Sequence, residues 1–287
     1  MKSIRDLYII GHGPSSSHTM GPGFACDYIL NKYHQIKQIK VILYGSLALT
    51  GKGHLTDYVI KEKLKDYPVE ILFDLHYKVK HPNTMEFYIT DLNDVVHFER
   101  IISIGGGSIK IFNHKERKND KVYPHNCLKD ILLYCQEENL SLYEYVERFE
   151  DEDIRSYMDK VYQTMENAKK EGLKKGGLLP GPLKVVRKAR LMNQRAKNVD
   201  KFKDDINLQI AITSFAVAEE NASGGIVVTA PTCGSAGVVP GAITYCLQKG
   251  ISHDKIIDGL LVAGLFGMLA KTNASISGAE CGCQAEI

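Results

Sequence analysis

Two short stretches early in the chain carry more polar chemistry than a turn requires. The first, GHGPSSSHTMGP (Gly11 to Pro22), sets Ser15, Ser16, Ser17, His18 and Thr19 between two Gly/Pro brackets. Serine and threonine satisfy orphan amides at helix starts, so a turn followed by an N-cap accounts for part of this pattern. Three consecutive serines exceed that need. Gly and Pro on both sides hold the backbone extended, which lets amides and hydroxyls converge on a small carboxylate or phosphate. The second, GSLALTGKGHLTD (Gly45 to Asp57), reads as a strand ending in Gly51-Lys52-Gly53-His54. A single histidine on a glycine loop is commonly a solvated surface residue. Imidazole is also the side chain suited to proton transfer near neutrality, and glycine loops that follow strands often carry catalytic groups.

Three further segments are glycine-rich. RIISIGGGSIKIF surrounds Gly105, Gly106 and Gly107 with β-formers and reads locally as a hairpin turn; with no following helix and no GxGxxG spacing, it is not a dinucleotide fingerprint. In NASGGIVVTAPTCGSAGVVPGAITYCLQ (Asn221 to Gln248), an apolar run leads into Cys233 and then a helix. This places the thiol near a helix N-terminus, where the dipole favours the thiolate that ligates metal or attacks a substrate. The last stretch, KTNASISGAECGCQAEI, holds Cys281 and Cys283. A CxC pair is a weak signal alone; with Cys233 in an equally glycine-rich setting, it points to thiolates from two distant loops at one soft-metal or cluster site.

The elements that must position these groups divide the chain in two. From Val41 to about Phe112 the sequence reads as strands (VILYGSLALT, VEILFDLHY, MEFYITDL, VVHFERIISIGGGSIKIF), with helices at Gly23 to Tyr33 and Asp57 to Lys65. A charge-dense stretch, Asn113 to Asn126, has linker composition. Beyond it, Leu128 to Gly172, Leu183 to Val199 and Asp205 to Glu220 show helical spacing, broken at GGLLPGP and again from Ser223 to Gly241. The expected architecture is an α+β N-terminal domain (1–115), a linker (116–126) and a mainly α-helical domain (127–287).

Composition narrows the function. The 287 residues carry 36 basic and 34 acidic side chains with no long basic run, which argues against nucleic acid and for a small-molecule partner. The N-terminus lacks the apolar stretch and cleavage site of a secretory signal, so a cytoplasmic location is expected, and the seven cysteines are weighed as thiols before disulfides. The apolar run Ile256 to Ala270 is shorter than the ~20 residues a bilayer crossing needs and contains Asp258, so no membrane is expected and a buried helix is the reading.

These segments, in this order, resemble the iron–sulfur-dependent L-serine dehydratases (L-serine ammonia-lyases). GHGPSSSHTMGP, GSLALTGKGH, SIGGGSI, LLPGPLKVVRKA, TAPTCGSAGVVP and NASISGAECGCQAEI are similar to family motifs, and their order is that of the fused form, β part before α part. The resemblance implies β-elimination of water from L-serine to pyruvate and ammonia, with a [4Fe-4S] cluster acting as Lewis acid on the hydroxyl. It implies Cys233 and Cys283 as cluster ligands and Cys281 as extra, with Cys26, Cys127, Cys135 and Cys246 structural. His54 is the implied base, with His18 next in line. Ser15, Ser16, Ser17, His18 and Thr19 are the implied substrate contacts, followed by Asn83, Thr84, Gly105, Gly106, Gly107 and Ser108. A homodimer is expected, since enzymes of this size commonly self-associate through closed symmetry.

Members of this family continue past the GCQAEI motif to a further cluster cysteine, whereas this sequence stops inside it. The expectation is therefore a helical domain incomplete at its C-terminus, active weakly or only with a complementing C-terminal chain, and with the apolar face of Ile256 to Ala270 left uncovered. Two other functions fit the same motifs: a non-catalytic protein that binds serine or another small carboxylate, and a related dehydratase acting on threonine.

Overall fold

A computed structural model describes residues 1–112, 121–199 and 205–274. It has an α+β first half and a mainly helical second half, as the residue patterns indicate. After a short strand β1 (Ile10–His12) and helix α1 (Gly21–Lys32) come strand β2 (Ile36–Tyr44), helices α2 (Gly45–Thr50) and α3 (Thr56–Lys63), and strands β3 (Val69–Asp74), β4 (Thr84–Asp91), β5 (Val96–Gly105) and β6 (Ser108–Ile111). These form a five-stranded sheet ordered β3-β2-β4-β5-β6, in which only β2 and β3 are parallel. A parallel pair needs a crossover, and α2 and α3 supply it. Alternation along β2 and β4 puts Val41, Leu43, Met85, Phe87 and Ile89 on one buried face, packed with Ala25, Cys26 and Ile29 of α1 and with Val59 and Ile60 of α3.

The stretch GSLALT, expected as strand, is helix α2. The change is enforced at Gly45, whose φ of +51° turns the chain out of β2; a Cβ there would lie 2.6 Å from the Pro82 carbonyl oxygen. The glycine triplet makes the expected hairpin: Gly106 and Gly107, both at positive φ, join β5 to β6 in the manner of a type I′ turn.

The second half comprises α4 (Leu128–Glu137), α5 (Leu142–Phe149), α6 (Ile154–Lys174), α7 (Ala189–Asn198), α8 (Ile206–Ala222), strand β7 (Ile226–Val228), α9 (Val238–Gln248) and α10 (His253–Asn273). Ser141 and Glu144 close a reciprocal capping box at the start of α5. The described part of the expected linker runs beside the N-terminus: the Met1 amino group donates to the Tyr123 carbonyl at 2.7 Å, and the Val122 and Tyr123 amides donate to the Met1 carbonyl.

Helix α10 has 21 residues and holds an 18-residue stretch of mean hydropathy 1.3, long and apolar enough to cross a membrane. Its face bearing Ile256, Leu260, Leu261, Leu265 and Met268 is buried in a core shared with Met1, Ile4, Leu7 and Tyr8. Cβ atoms at Gly264 and Gly267 would lie 2.9 Å from Tyr8 and 2.7 Å from Leu7, and the Tyr8 hydroxyl donates to the Leu260 carbonyl at 3.0 Å. The N-terminal turn thus covers this face, which was expected to be bare, while Ala263 and Phe266 on the helix's other side stay exposed.

The two halves are sewn together by β1 and β7, which pair antiparallel with Ile10 opposite Val228 and His12 opposite Ile226. The chain therefore leaves this ribbon twice, once into GPSSSHT and once into the loop that holds Cys233.

Candidate active site

Immediately after β1, the Gly13 amide donates to the Gly225 carbonyl at 3.0 Å, and the chain enters a single π-helical turn, Ser16–Met20, that runs directly into α1. Ser15 is its cap: its hydroxyl accepts from the His18 amide at 3.1 Å, and its own amide donates to Thr19 Oγ1 at 3.2 Å. The capping interpretation thus accounts for Ser15. Ser16, Ser17, His18 and Thr19 are all buried.

His18 is held at both ring nitrogens, with Nδ1 2.8 Å from Ser17 Oγ and Nε2 2.9 Å from Ser46 Oγ. Burial, and after it the neighbouring His54, push its pKa down to about 4, so the ring is neutral at neutral pH. The His54 ring lies 4.8 Å away, centroid to centroid. Two threonines fasten the pair: Thr19 Oγ1 donates to the His54 carbonyl at 2.6 Å, and Thr56 Oγ1 donates to the His18 carbonyl. His54 follows helix α2 rather than a strand. Its Nδ1 is 3.0 Å from the Thr50 carbonyl, and a carbonyl only accepts, so Nδ1 carries the hydrogen. In the neutral ring this leaves the lone pair on Nε2, which has no hydrogen-bond partner among the described residues.

The turn before β4 reaches the same place through the backbone, because the Ser46 amide donates to the Pro82 carbonyl at 2.7 Å. Asn83 is wholly buried, and neither amide atom of its side chain has a partner. Thr84 Oγ1 is spent on the His81 carbonyl. The Asn83 carbonyl accepts from the amide of Ser103, whose hydroxyl is also buried without a partner beneath the Gly21 backbone. Gly105 to Ser108 end a hairpin that lies against the first half's own elements: a Cβ on Gly107 would meet Ile9 at 3.2 Å and Phe24 at 3.6 Å.

Cys233 sits in the loop after β7, buried, with Sγ 3.9 Å from Met20 Sδ of the π-turn. It is not in the first turn of a helix, since α9 begins at Val238, so the dipole argument for its thiolate fails: that effect dies away within one turn. Its tie to GPSSSHT is Asn221, whose Nδ2 donates to the Cys233 carbonyl at 3.1 Å and to the Pro14 carbonyl at 3.5 Å. A Cβ on Gly13 would lie 2.1 Å from Asn221 Oδ1, so glycine is required there for the two loops to touch. Asn221 and Ser46 lie inside the motif segments, in NASGG and GSLA, but are not among the site residues that the sequence points to. Neither type nor spacing distinguishes them until the loops are seen together.

A cavity of about 450 Å³ opens beside this junction, with Thr19, Leu55, Tyr58 and Lys63 on one wall and Pro180, Ser223 and Gly224 on the other. Among the described residues no three His, Cys, Asp or Glu side chains cluster as a metal site. Cys233 offers the soft thiolate an iron–sulfur cluster requires, but one thiolate does not hold four irons, and Cys281 and Cys283 lie outside the described residues. Cys26 and Cys135 are buried in separate apolar clusters that push their thiols up in pKa, Cys246 is half-buried and Cys127 exposed.

Fold and site together define a two-part protein, an α+β unit and a helical unit that meet at a hydroxyl- and imidazole-rich turn beside a buried cysteine. Residues 55–287 match the family Serine dehydratase alpha chain and residues 3–69 match Serine dehydratase beta chain; the chain belongs to the serine dehydratase family, in its fused β–α form. It is 35% identical to the L-serine dehydratase of Haemophilus influenzae, in a match covering 100% of this chain and 76% of that protein. To L-serine dehydratase 1 of Escherichia coli it is 34% identical over 100% of this chain and 76% of the relative, and to the L-serine dehydratase of Helicobacter pylori 34% over 99% and 75%. The first of these matches spans 345 positions against the 287 residues of this chain, so the alignment holds positions that this chain lacks.

Proposed function

We propose that this protein is an L-serine dehydratase that eliminates water from L-serine to give pyruvate and ammonia. Family membership supports the reaction, and one observation carries the assignment of roles. His54 keeps hydrogen on Nδ1 through its own Thr50 carbonyl and leaves Nε2 as an unengaged base, whereas both nitrogens of its neighbour His18 are engaged. In this reading, His54 Nε2 takes the proton from Cα, the C–H electron pair becomes the Cα=Cβ bond, and the hydroxyl leaves from Cβ. The aminoacrylate tautomerises to an imine, and water releases ammonia from it to leave pyruvate. Ser16, Ser17, Thr19 and Asn83 bind the amino and carboxylate groups, with Thr84 and the hairpin at Gly105, Gly106, Gly107 and Ser108 in lesser roles.

A [4Fe-4S] cluster is part of this reading, with Cys233 and Cys283 among its ligands. Such a cluster supplies Lewis-acid polarisation of the substrate hydroxyl through an iron with an open position. A cytoplasmic homodimer that engages neither nucleic acid nor membrane completes the proposal.

The experiment is anaerobic reconstitution with iron and sulfide, followed by assay of pyruvate and ammonia from L-serine and of 2-oxobutanoate from L-threonine. Equimolar pyruvate and ammonia, with serine preferred, are expected. In His54→Ala, exchange of the substrate Cα hydrogen with solvent deuterium should stop while iron content is unchanged. Normal exchange in that variant moves the base elsewhere. Absence of pyruvate from the fully loaded wild type ends the proposal.

A further inference from the structure

His18 is 4% exposed, and its two nitrogens face two hydroxyls at nearly equal distance, 2.8 Å to Ser17 and 2.9 Å to Ser46. A neutral imidazole has one N–H, so one hydroxyl must donate to the ring and the other accept from it. The rest of the network breaks this symmetry. Ser17 Oγ has a second neighbour, Ser15 Oγ at 3.4 Å, and Ser15 Oγ already accepts from the His18 amide. Ser46 Oγ has His18 Nε2 as its one protein partner among the described residues. A hydroxyl with a single partner gains most by donating to it, because its hydrogen finds no protein acceptor if it accepts instead. All bonds then run one way: Ser46 to His18 Nε2, His18 Nδ1–H to Ser17, and Ser17 to Ser15.

The donor in this chain is fixed from both sides. The Ser46 amide is anchored on the Pro82 carbonyl at 2.7 Å, its carbonyl accepts from Thr50 Oγ1 at 2.9 Å, and Gly45 holds the left-handed conformation that brings the residue there. Thr50 is also the residue whose carbonyl holds His54 Nδ1–H. One turn of helix α2 therefore orients both rings of the pair.

We infer that Ser46 is a positioning residue: its hydroxyl fixes His18 in the Nδ1–H tautomer, occupying Nε2 so that His54 alone presents a lone pair to the site. The tautomer stands on the hydrogen-bond geometry. Its catalytic consequence rests on the serine dehydratase reading given above.

The test uses the full chain labelled with ¹⁵N, with the His18 ring signals identified by their loss in His18→Gln. In the wild type, His18 Nε2 should resonate as an unprotonated, pyridine-like nitrogen and Nδ1 as a pyrrole-like one. Ser46→Ala should move both toward the average of two tautomers, and Ser46→Thr should restore them. In the loaded enzyme, Ser46→Ala should lower kcat about three- to tenfold with KM within about twofold, the loss of one net hydrogen bond, and Ser46→Thr should recover it. A pyrrole-like Nε2 in the wild type overturns the inference, as do unchanged His18 signals in Ser46→Ala. If Ser46→Ala fails to fold, the wild-type spectrum decides the tautomer alone. If the wild type makes no pyruvate, the dehydratase reading falls while the spectrum still decides the tautomer.

Discussion

Substitution of Gly21 by alanine isolates the contact that seats the π-turn on the sheet. Gly21 is the first residue of α1 and has ordinary right-handed helical dihedrals, with φ −56° and ψ −53°. Backbone preference therefore favours alanine, by up to about 1 kcal/mol. Space opposes it: the added Cβ would lie 2.3 Å from Ser103 Oγ and 2.8 Å from Ser103 Cβ, while the next neighbour, the Ser16 carbonyl oxygen, is at 3.6 Å. Ser103 cannot swing away, since it is wholly buried in β5 with its amide tied to Asn83. Overpacking of this kind costs about 1–3 kcal/mol, so Gly21→Ala should destabilise by about 1–2 kcal/mol net. Ser103→Gly removes both clashing atoms. In that background Gly21→Ala should be neutral or stabilising, a coupling of about 2 kcal/mol that changes sign with one side chain. Urea unfolding of the four proteins in the cycle measures it. Equal cost of Gly21→Ala in both backgrounds would show that Ser103 is not what the π-turn rests on.

Three further outcomes are expected. Ser103→Ala removes a buried hydroxyl without a partner and leaves the backbone bond to Asn83 intact, so stability should rise by about 1 kcal/mol, read as a higher urea midpoint at unchanged slope. Gly264→Ala drives a Cβ to within 2.9 Å of Tyr8 and should lower stability by about 1–3 kcal/mol, whereas Tyr8→Phe, which loses only the bond to the Leu260 carbonyl, should cost about 1 kcal/mol. Acid should weaken the fold through His18: unfolded, it binds a proton near pH 6.5, folded only near 4, so between these values the unfolded state holds more protons. That stability is fully present above about pH 6.5, and about 3 kcal/mol is lost as pH falls to 4; urea midpoints against pH should flatten over this window in His18→Gln.

The sequence was legible where chemistry and periodicity coincide. Alternation along Val41 to Leu43 and Met85 to Ile89 shows the sheet's buried face, and the spacing in Ile154 to Lys174 shows a helix. Two local readings failed for the same reason, a glycine or turn whose conformation is set by distant residues. GSLALT has the apolar density of a strand, and β2 ends before it where Gly45 turns left-handed and the Ser46 amide bonds the Pro82 carbonyl, distant in sequence. The helix expected after Cys233 does follow, but it begins only at Val238, because the loop between is held by Asn221 and by Ser235, whose hydroxyl donates to the Ala230 carbonyl. The cover over α10 was invisible because its partner, the turn at Ile4 to Tyr8, lies at the other end of the chain.

The pairing of β1 with β7 explains why the motifs of this chain have meaning only together. The ribbon is three residues long on each side, and both candidate loops depart from it within a few residues, so small shifts in its register would carry the π-turn past Cys233. Three contacts between the halves resist such a shift: Gly13 to Gly225, Asn221 to Pro14, and Cys233 to Met20, with Asn221 also tied to the Cys233 carbonyl. None of the three involves His18 or His54, whose geometry is fixed within the first half by Ser46, Thr50, Thr19 and Thr56. The imidazole pair and the cysteine loop are thus separately preorganised units joined at one seam. Substitutions at Asn221 should change where the thiol lies relative to the imidazoles while leaving the tautomers of both histidines as they are.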